Sequence, residues 1–407
     1  MINVYSEIGK LRKVLVHRPG NELLQVHPFH LNEMLFEDTP FLPYAQEEHD
    51  AFTSILRNHG VDVLDVRDLF QDAMRAPDGR KEFTQEFLAA SNVPSISLNE
   101  AIMDWYEGLT VEDFVESVFC GIRRDAEPFA SNLSLGGLTY KEDLFLVQPL
   151  PNSYFARDSS INVGDGVVLS HMGKEARRRE PLLLKYIHQY STEFKENPTC
   201  DFYGMQYPYG IEGGDFLVLS DKAVCIGCSE RTQPGAIEKV ASSLFTRGFE
   251  SVFAIEMPRG REAMHLDGML TMVDTETFMY NPFLSGSVNV FKLTQGPSSD
   301  AGTPSIKCSA TDSDWGKVVA DALNTSAVKL IPCGGGDAIA GMWEMWNLGS
   351  NVLALEPGNV VGYDRNLISL DLLDKAGVTV HTFKGSELSR GRGGARCMSM
   401  PIYRDSL

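Results

Sequence analysis

The sequence contains no uninterrupted apolar stretch of the ~18 residues that a membrane-spanning helix requires. Its first residues, Met1-Ile-Asn-Val-Tyr-Ser-Glu-Ile, also lack the basic segment followed by an apolar segment that is typical of a secretory signal. These two absences predict a cytoplasmic protein that does not cross a membrane.

Positive charge is scarce. The chain has 36 Lys and Arg residues against 55 Asp and Glu residues, which gives a formal net charge of −19. Such a balance repels nucleic acids and anionic membranes, so neither is expected as a partner. It is compatible with a small cationic substrate and with a homo-oligomer, although net charge identifies neither.

The number of cysteines is low and odd, seven in 407 residues, which argues against a disulfide scaffold. Cys225 and Cys228 form one Cys-x-x-Cys pair, and the sequence has neither a second such pair nor a nearby pair of histidines. Zinc binding is therefore disfavoured, and the two residues are interpreted as buried strand cysteines. We expect no metal and no organic cofactor.

A helix-like stretch followed by a short β-branched strand recurs along the chain. Repetition of this kind favours an α/β fold of strand-strand-helix-strand modules arranged around an axis. A doubly wound sheet would give a similar alternation, so periodicity alone leaves both folds open. The clear copies have their helices at 44–58, 235–247, 316–324 and 366–376, and a weaker copy has its helix at 174–190.

One region departs from this alternation. Residues from about 69 to 126 have helical periodicity throughout, as in Glu82-Phe-Thr-Gln-Glu-Phe-Leu. No low-complexity linker divides the chain into halves. We therefore predict a single domain spanning 1–407 with a mainly helical insertion at 70–145.

The C-terminal segment Ser389-Arg-Gly-Arg-Gly-Gly-Ala-Arg-Cys places Cys397 after three glycines and three arginines. Glycine lets a backbone approach a ligand closely, and neighbouring cations favour the nucleophilic thiolate. The alternatives are an RNA-binding Arg-Gly segment, which conflicts with the acidic chain, and a flexible tail. The apolar Met-Ser-Met-Pro-Ile-Tyr that follows argues against a tail. We predict a catalytic loop with Cys397 as its nucleophile.

His265 and Asp267 lie two positions apart in a stretch that alternates like a strand. Residues spaced in this way share one face of a strand, where they could shuttle protons and hold a cation. A single histidine of this kind is more often structural, but the neighbouring Asp267 leaves the catalytic and the structural interpretations equally open.

Two further carboxylates stand in suggestive positions. Glu212 lies beside two glycines before a strand, and Asp158 lies in a segment that also contains Asn152 and Phe155. Taken alone, the segment around Glu212 is also typical of a turn, and the segment around Asp158 is also typical of a plain loop.

Together these residues meet the requirements for cleaving a C–N bond of a guanidinium. A thiolate must attack the central carbon, and carboxylates must hold the planar cation. A histidine must protonate the leaving amine and then activate water. One cysteine, one histidine and three carboxylates supply these groups.

The motifs resemble those of the arginine deiminases, in the guanidine-modifying (pentein) superfamily. The resemblance runs from Val4 to the C-terminus and is weakest in the helical insertion. It implies a five-bladed α/β propeller (the pentein fold) and hydrolysis of L-arginine to L-citrulline and ammonia. The segments that carry it include Asn152-Ser-Tyr-Phe-Ala-Arg-Asp, Ile211-Glu-Gly-Gly-Asp, Met264-His-Leu-Asp, Pro357-Gly-Asn-Val-Val-Gly-Tyr-Asp-Arg-Asn and Arg392-Gly-Gly-Ala-Arg-Cys-Met-Ser-Met-Pro.

The resemblance also implies roles for individual residues. Cys397 corresponds to the nucleophile that becomes an amidino-thioether, and His265 to the general acid and base. The carboxylates that bind the guanidinium correspond to Asp158, Glu212 and Asp267. The groups that face the substrate's α-carboxylate or line the pocket correspond to Arg177, Arg231, Arg392, Asn152 and Phe155.

The chain departs from the family pattern beside two of these carboxylates. Ala156 and Ser159 stand where Thr and Pro are usual, and Gly268 stands where Thr is usual. These changes touch the supports of the carboxylates, so we expect them to affect turnover and affinity rather than the reaction class.

Two other functions stay open on the sequence alone. An agmatine deiminase or an amidinotransferase of the same superfamily would use the same residue types, although the arginine cluster argues against agmatine, which has no carboxylate. A non-catalytic member of the fold is the second alternative. The presence of all five catalytic residue types argues against it.

Overall fold

Short strands alternate with helices along most of the chain. The computed structural model describes residues 1–130, 134–139, 143–195, 200–282, 288–298, 304–311 and 314–407. In these ranges the strands are β1 (Leu11–Val16), β2 (Asp62–Asp65), β3 (Ile122–Arg123), β4 (Phe145–Val147), β5 (Ser160–Val163), β6 (Gly166–Leu169), β7 (Cys200–Tyr203), β8 (Phe216–Val218), β9 (Ala223–Cys228), β10 (Ser251–Glu256), β11 (Leu270–Asp274), β12 (Thr277–Tyr280), β13 (Val290–Ser298), β14 (Pro304–Ala310), β15 (Lys329–Pro332), β16 (Leu353–Glu356), β17 (Asn359–Tyr363), β18 (Thr379–Phe383) and β19 (Met400–Arg404).

The α-helices in the same ranges differ widely in length. The longest exceeds four turns, and the shortest are single turns that join other elements. They are α1 (Leu31–Met34), α2 (Leu42–Asn58), α3 (Val66–Met74), α4 (Pro77–Ala90), α5 (Ile96–Gly108), α6 (Val111–Cys120), α7 (Leu135–Leu138), α8 (Ala156–Ser159), α9 (Glu180–Tyr190), α10 (Thr192–Lys195), α11 (Pro234–Phe245), α12 (Trp315–Leu323), α13 (Ala338–Trp346) and α14 (Leu367–Lys375).

Within the described ranges, five sheets repeat one order of elements. In each, two antiparallel strands are followed by a helix, and the helix returns the chain so that a third strand runs parallel to the second. The sets are β5-β6-α9-β7, β8-β9-α11-β10, β11-β12-α12-β15, β16-β17-α14-β18 and β19-β1-α2-β2. The β13–β14 hairpin widens the second of these sheets on the far side of β10.

The two ends of the chain meet in the last of these sheets. The C-terminal strand β19 pairs with the N-terminal strand β1, with Leu15 opposite Met400 and Val14 opposite Pro401. The sheet is therefore completed only when both ends of the chain are in place, which brings residues near position 7 beside residues near position 396.

Glycines end the helices of the repeated units as the sequence predicts. Gly60, Gly248 and Gly377 follow α2, α11 and α14 with φ values of +77°, +93° and +88°. This left-handed region is open to glycine at little cost and stops a helix before the next strand. In α12 the same position is taken by Asn324, whose φ is +53°.

Helices α3 to α6 occupy the region of predicted helical periodicity. Phe70, Phe83 and Phe114 pack together and are fully buried. The ring of Phe83 also meets that of Tyr186 from α9 edge-on at 5.3 Å. These helices therefore share a hydrophobic core with the repeated sheets, whose residues Val163 and Val218 belong to the same cluster.

Two details bear on the earlier expectations. None of the helices in the described ranges combines the length and apolar composition that a bilayer span requires. Cys225 and Cys228 lie on β9, the first fully buried and the second half-buried, which confirms their interpretation as strand residues.

Candidate active site

The five predicted catalytic residues all lie on segments that lead into the first strand of a repeated sheet. We call 155–159, 211–215, 265–269, 348–352 and 395–399 the entry segments, because they precede β5, β8, β11, β16 and β19. Asp158, Glu212, His265, Asp267 and Cys397 belong to four of them. Residues far apart in the sequence can therefore meet at one end of the five sheets.

Hydrogen bonds join the entry segments to one another. The Gly214 N–H donates to Asp158 Oδ1 at 3.0 Å, and the Cys397 N–H donates to Asn351 Oδ1 at 3.1 Å. The Arg157 N–H donates to the Cys397 carbonyl at 3.1 Å. Because these donors and acceptors are buried, each bond fixes the position of the next segment.

His265 lies between two carboxylates. Its Nε2 is 2.7 Å from Glu212 Oε2, and its Nδ1 is 3.7 Å from Asp158 Oδ1. Burial alone lowers the pKa of a histidine, but here the charges of Asp158 and Glu212 prevail and raise the pKa of His265 to about 9. The imidazole is therefore protonated near neutral pH and can donate a proton.

Both glycines after Glu212 stand against other entry segments: a Cβ atom on Gly213 would lie 1.9 Å from the Arg157 carbonyl oxygen, and Gly214 makes room for the imidazole. A Cβ atom on Gly214 would stand 2.5 Å from His265 Nδ1, which is closer than the two atoms can approach. The two glycines that follow Glu212 therefore serve close packing at the site.

The segment around His265 is not the strand that the sequence predicted. His265 has extended backbone and precedes a short 3₁₀ turn, Leu266–Gly268, and β11 begins only at Leu270. Buried residues around this turn are interrupted by partly exposed ones, and in the sequence this pattern resembles a strand. The prediction of secondary structure was wrong here, although both side chains still point into the site.

Cys397 is buried, with its Sγ 3.4 Å from Asp267 Oδ2. Burial and the negative charges of Asp267 and Asp158 raise the pKa of the Cys397 thiol well above its usual value. Of the neighbouring arginines, Arg396 does favour the thiolate as expected, but its effect is outweighed by burial and by the two carboxylates in this substrate-free state. Arg390 pairs with Asp38 and Glu387 instead of approaching the sulfur.

Each carboxylate of the site has one arginine behind it. Arg177 donates to Asp158, as does Arg231 to Glu212 at 3.0 Å and Arg396 to Asp267 at 2.9 Å. All three arginines are buried, with side chains at most 4% exposed. Such charge-assisted bonds hold both partners in one orientation.

The predicted substrate-binding residues fall into two groups. Arg177 and Arg231 belong to the ion pairs just described. The other three make contacts nearby. Arg392 has its guanidinium carbon 3.5 Å from the centre of the Trp346 ring and donates to the Trp346 carbonyl. Asn152 donates to the Met34 carbonyl, and the ring centre of Phe155 lies 3.9 Å from that of Tyr154.

Phe155 explains one glycine of the C-terminal loop. A Cβ atom on Gly393 would stand 2.0 Å from its ring, so only glycine lets the loop cross the aromatic side chain at this distance.

The departures from the family pattern have different consequences. Ser159 donates to Glu180 Oε2 at 2.9 Å, and Glu180 in turn binds the Arg177 that holds Asp158. Ser159 is thus part of the support of that carboxylate. Gly268 has open space where a Cβ would lie, and its carbonyl accepts a hydrogen bond from Ser350.

Several buried residues of the site were not predicted from the sequence. Asp215 accepts bonds from the Leu266 N–H and the Ser229 hydroxyl, and burial raises its pKa to about 6 although His265 opposes this. It shapes the turn that follows His265. Its signal lies in Ile211-Glu-Gly-Gly-Asp, of which the sequence reasoning selects only the glutamate. The others are Glu7, Glu180, Asn351 and Arg396.

Arg231 lines a cavity of about 670 Å³. Met264 and Pro151 also line it, together with Lys174 and Glu175. Because Arg231 itself holds Glu212, this cavity reaches the outer side of the site. Among the residues that the structure describes, no three His, Cys, Asp or Glu side chains are arranged to hold a metal ion.

Comparison with known proteins agrees with this geometry. The family model described as arginine deiminase matches residues 32–404. The chain is 40% identical to the arginine deiminase of Limosilactobacillus reuteri over 412 residues, which span 100% of this chain and 98% of that protein. It is 38% identical to the arginine deiminase of Streptococcus gordonii, with 100% and 99% covered. The chain belongs to the arginine deiminase family.

Solved structures extend the likeness to the fold. The N-terminal domain of ArgZ, an arginine dihydrolase from cyanobacteria, aligns with a TM-score of 0.55 at 13% identity, covering 97% of this chain and 99% of that one. An amidinotransferase from Microseira wollei aligns with a TM-score of 0.54 at 14% identity, covering 100% and 98%. The family predicted from the motifs is confirmed, and these structures share the α/β fold.

Proposed function

We propose that the chain hydrolyses L-arginine to L-citrulline and ammonia through a covalent intermediate on Cys397, without a metal or organic cofactor. The observation that carries this proposal is the meeting of one thiol, one histidine and three carboxylates at the entry segments. Membership of the arginine deiminase family supports the same reaction.

The chemistry divides into two steps. The Cys397 thiolate attacks the guanidinium carbon, forming a C–S bond, and His265 gives its proton to the nitrogen that leaves as ammonia. His265 then takes a proton from water, the hydroxide attacks the same carbon, and the C–S bond breaks to release citrulline and thiolate. General acid-base and covalent catalysis split one difficult hydrolysis into two easier steps.

Substrate binding supplies the thiolate in this proposal. The carboxylates of Asp158 and Asp267 lie near the thiol and disfavour its ionised form. A guanidinium held between these carboxylates brings a positive charge that offsets them. The pKa of Cys397 then falls, and its proton passes to solvent as the substrate seats.

Recognition of the α-carboxylate is assigned to the arginines named from the family resemblance. Arg177 and Arg231 also bind buried carboxylates of the site, whereas Arg392 belongs to the loop that carries Cys397. The side chain of Arg392 is buried against the ring of Trp346 and donates to the Trp346 carbonyl. Asn152 and Phe155 line the same region.

For the whole molecule, we propose five blades around a common axis, within one domain at 1–407 that carries a helical insertion at 70–145. The repeated order of elements supports this, as does the closure between β1 and β19. The convergence of the entry segments fits an axis that passes through the site.

The deciding experiment is citrulline production from arginine and from agmatine in parallel. Cys397→Ser should abolish turnover in a folded protein, because a hydroxyl yields too little nucleophile. Acid-quenched wild type should carry an amidino adduct on Cys397. Cys333→Ser is the matched control, since this buried cysteine lies elsewhere and should be dispensable.

The alternatives give different results. Preference for agmatine would identify an agmatine deiminase, and transfer of the amidino group to an added amine would identify an amidinotransferase. Absence of any product or adduct would favour a non-catalytic member of the fold.

A further inference from the structure

Arg396 is the least exposed arginine of the site and directly precedes Cys397 in the sequence. Its guanidinium makes four hydrogen bonds, all of them to other groups of the protein. Nε and Nη2 each lie 3.1 Å from Glu7, Nη1 lies 2.9 Å from Asp267 Oδ2, and Nη2 also donates to the Phe216 carbonyl at 2.7 Å.

Asp267 places one oxygen between the guanidinium and the thiol. The Oδ2 atom that accepts from Arg396 is also the atom 3.4 Å from Cys397 Sγ. The backbone of Asp267 is held separately, by Thr271 and Asn351 at its carbonyl. Arg396 therefore sets the direction of the carboxylate, and with it the contact to sulfur.

Glu7 holds Arg396 from the opposite side. It is buried, it accepts a bond from the Val218 N–H at 3.0 Å, and it reaches this place because β1 pairs with β19. Burial opposes its charge, but Arg396 and Arg157 lower the pKa of Glu7 to about 2. An ionised, immobile Glu7 therefore divides the positive charge of Arg396 between two carboxylates.

We propose that Arg396 and Glu7 form a positioning pair, which aims Asp267 at the thiol and sets how readily Cys397 ionises. The pair touches neither the substrate nor the sulfur and acts through Asp267. The substrate-binding part of this inference rests on the proposed function, in which Asp267 holds the guanidinium. The effect on the thiol does not.

The charged and titratable groups around the thiol make the sign of each effect predictable. They are Asp158, Asp267, Arg396, Tyr154 and Tyr363. Removing the charge of Arg396 leaves Asp267 unopposed, which disfavours thiolate. Removing the charge of Glu7 leaves more of the charge of Arg396 for Asp267 and the thiol, which favours thiolate.

The test measures the rate at which iodoacetamide alkylates Cys397 in the full-length, substrate-free protein, with the modified peptide located by mass spectrometry. At a pH below the thiol pKa, raising or lowering that pKa by about one changes the thiolate fraction about tenfold. At about pH 9, Arg396→Gln should slow alkylation and Glu7→Gln should accelerate it, each by roughly tenfold for one charge removed at this range.

The expected changes in alkylation rate have opposite directions in the two variants, and this distinguishes a positioning role from a merely structural one. Both substitutions break the same ion pair, so a structural role predicts lower stability in both and the same direction of change in alkylation. Arg404→Gln is the matched control, because this equally buried arginine donates to the carbonyls of Gly9 and Ala354 and not to Asp267. It should alter alkylation less than either variant does.

Arg396→Lys completes the design and guards against an unfolded Arg396→Gln protein. Lysine keeps the positive charge, but its single ammonium group cannot reproduce the hydrogen bonds that the planar guanidinium makes to Glu7 and Asp267 at the same time. Alkylation should stay near the wild-type rate, while the KM for arginine rises ~10- to 100-fold, the range found when residues that orient metal ligands are removed.

Two results would overturn the proposal: a same-direction change in Arg396→Gln and Glu7→Gln, or an unchanged KM in folded Arg396→Lys. Alkylation requires no turnover, so a wild-type protein that makes no citrulline would refute the proposed function while leaving the alkylation result readable.

Discussion

Glu212→Gln is the substitution that tests the proton donor most directly. Glu212 is fully buried and accepts from Arg231 and from the Gly173 N–H, in addition to its 2.7 Å contact with His265. Glutamine keeps the size of the side chain and removes its charge. Asp158 stays 3.7 Å from the other ring nitrogen, so the pKa of His265 should fall without losing all of its elevation.

The magnitude follows from the pKa of His265. This pKa rises from 6.5 to about 9, and at ~1.4 kcal/mol for each tenfold change in the ionisation equilibrium this is ~3 kcal/mol in favour of the protonated form. Burial opposes the protonated form, and both the charge and the hydrogen bond of Glu212 raise the pKa of His265, so Glu212→Gln should lower it. At pH ~8 the protonated fraction should then fall from roughly nine-tenths in the wild type.

Glu212→Gln should also lower the stability of the folded protein, by an amount that depends on pH. Because the folded-state pKa of His265 is raised, its charged contacts stabilise the protein fully below pH ~6.5 and cease to do so as pH rises through about 9. The pKa of Glu212 is lowered, so its part is lost as pH falls below its usual value of 4.5. The loss in Tm from Glu212→Gln should therefore be largest between these limits and smaller near pH ~9.

Nuclear magnetic resonance can read the titration of His265 directly. The Cys397→Ser background prevents turnover and removes the thiol, and His265→Ala identifies the signal among the 9 histidines. Asp165→Asn is the control, since this exposed carboxylate pairs with Arg247 on the surface. A wild-type midpoint below ~7, or one that Glu212→Gln leaves unchanged, would refute the reasoning.

Three further outcomes are expected. His265→Ala should lower kcat by ~10²–10⁴-fold, with His381→Ala as a control of similar chemistry, and near-normal citrulline production would transfer the role to another group. Dialysis against a chelator should leave activity unchanged, and a loss restored by zinc would contradict this. Arg392→Ala should weaken arginine far more than agmatine, by the ~2–5 kcal/mol that a truncated charge pair costs, or roughly 30- to several-thousand-fold in kcat/KM. If the ratio of kcat/KM for arginine to kcat/KM for agmatine stayed unchanged, Arg392 would not be the residue that binds the α-carboxylate.

The sequence carried enough information to locate the reactive groups because each stands in a segment with its own signature. Glu212 is marked by the glycines that make room for His265, and Cys397 by the glycines that cross Phe155. Helices such as α2 and α14 were predictable from periodicity and from a glycine that ends them. These patterns are local in the sequence, although the side chains that require the glycines, His265 and Phe155, lie far away along the chain.

Other features depend on contacts that no local pattern reveals. The ionisation of Cys397 depends on where Arg390, Arg392 and Arg396 direct their guanidinium groups, and only the folded chain decides this. Glu7 lies within the region of family resemblance that begins at Val4, but its place at the site follows from the pairing of β1 with β19. Helix α13 carries Ile339, Met342, Trp343 and Trp346 at the spacing of one helix face, but the structure exposes this apolar face instead of burying it.

The sharing of arginines among buried carboxylates explains why the empty site keeps its thiol protonated. Arg177 also binds Glu180 and Arg396 also binds Glu7, so neither fully offsets the charge of Asp158 or Asp267, and a thiolate beside these acids would add negative charge in a buried place. A guanidinium that enters between Asp158 and Asp267 adds one positive charge, and loss of the thiol proton restores the former balance. In the proposed mechanism, the nucleophile is formed where and when a cationic substrate is bound, while citrulline, whose ureido group is neutral, leaves the thiol protonated. Discrimination between substrate and product would then follow from charge, before any contact with the rest of the ligand.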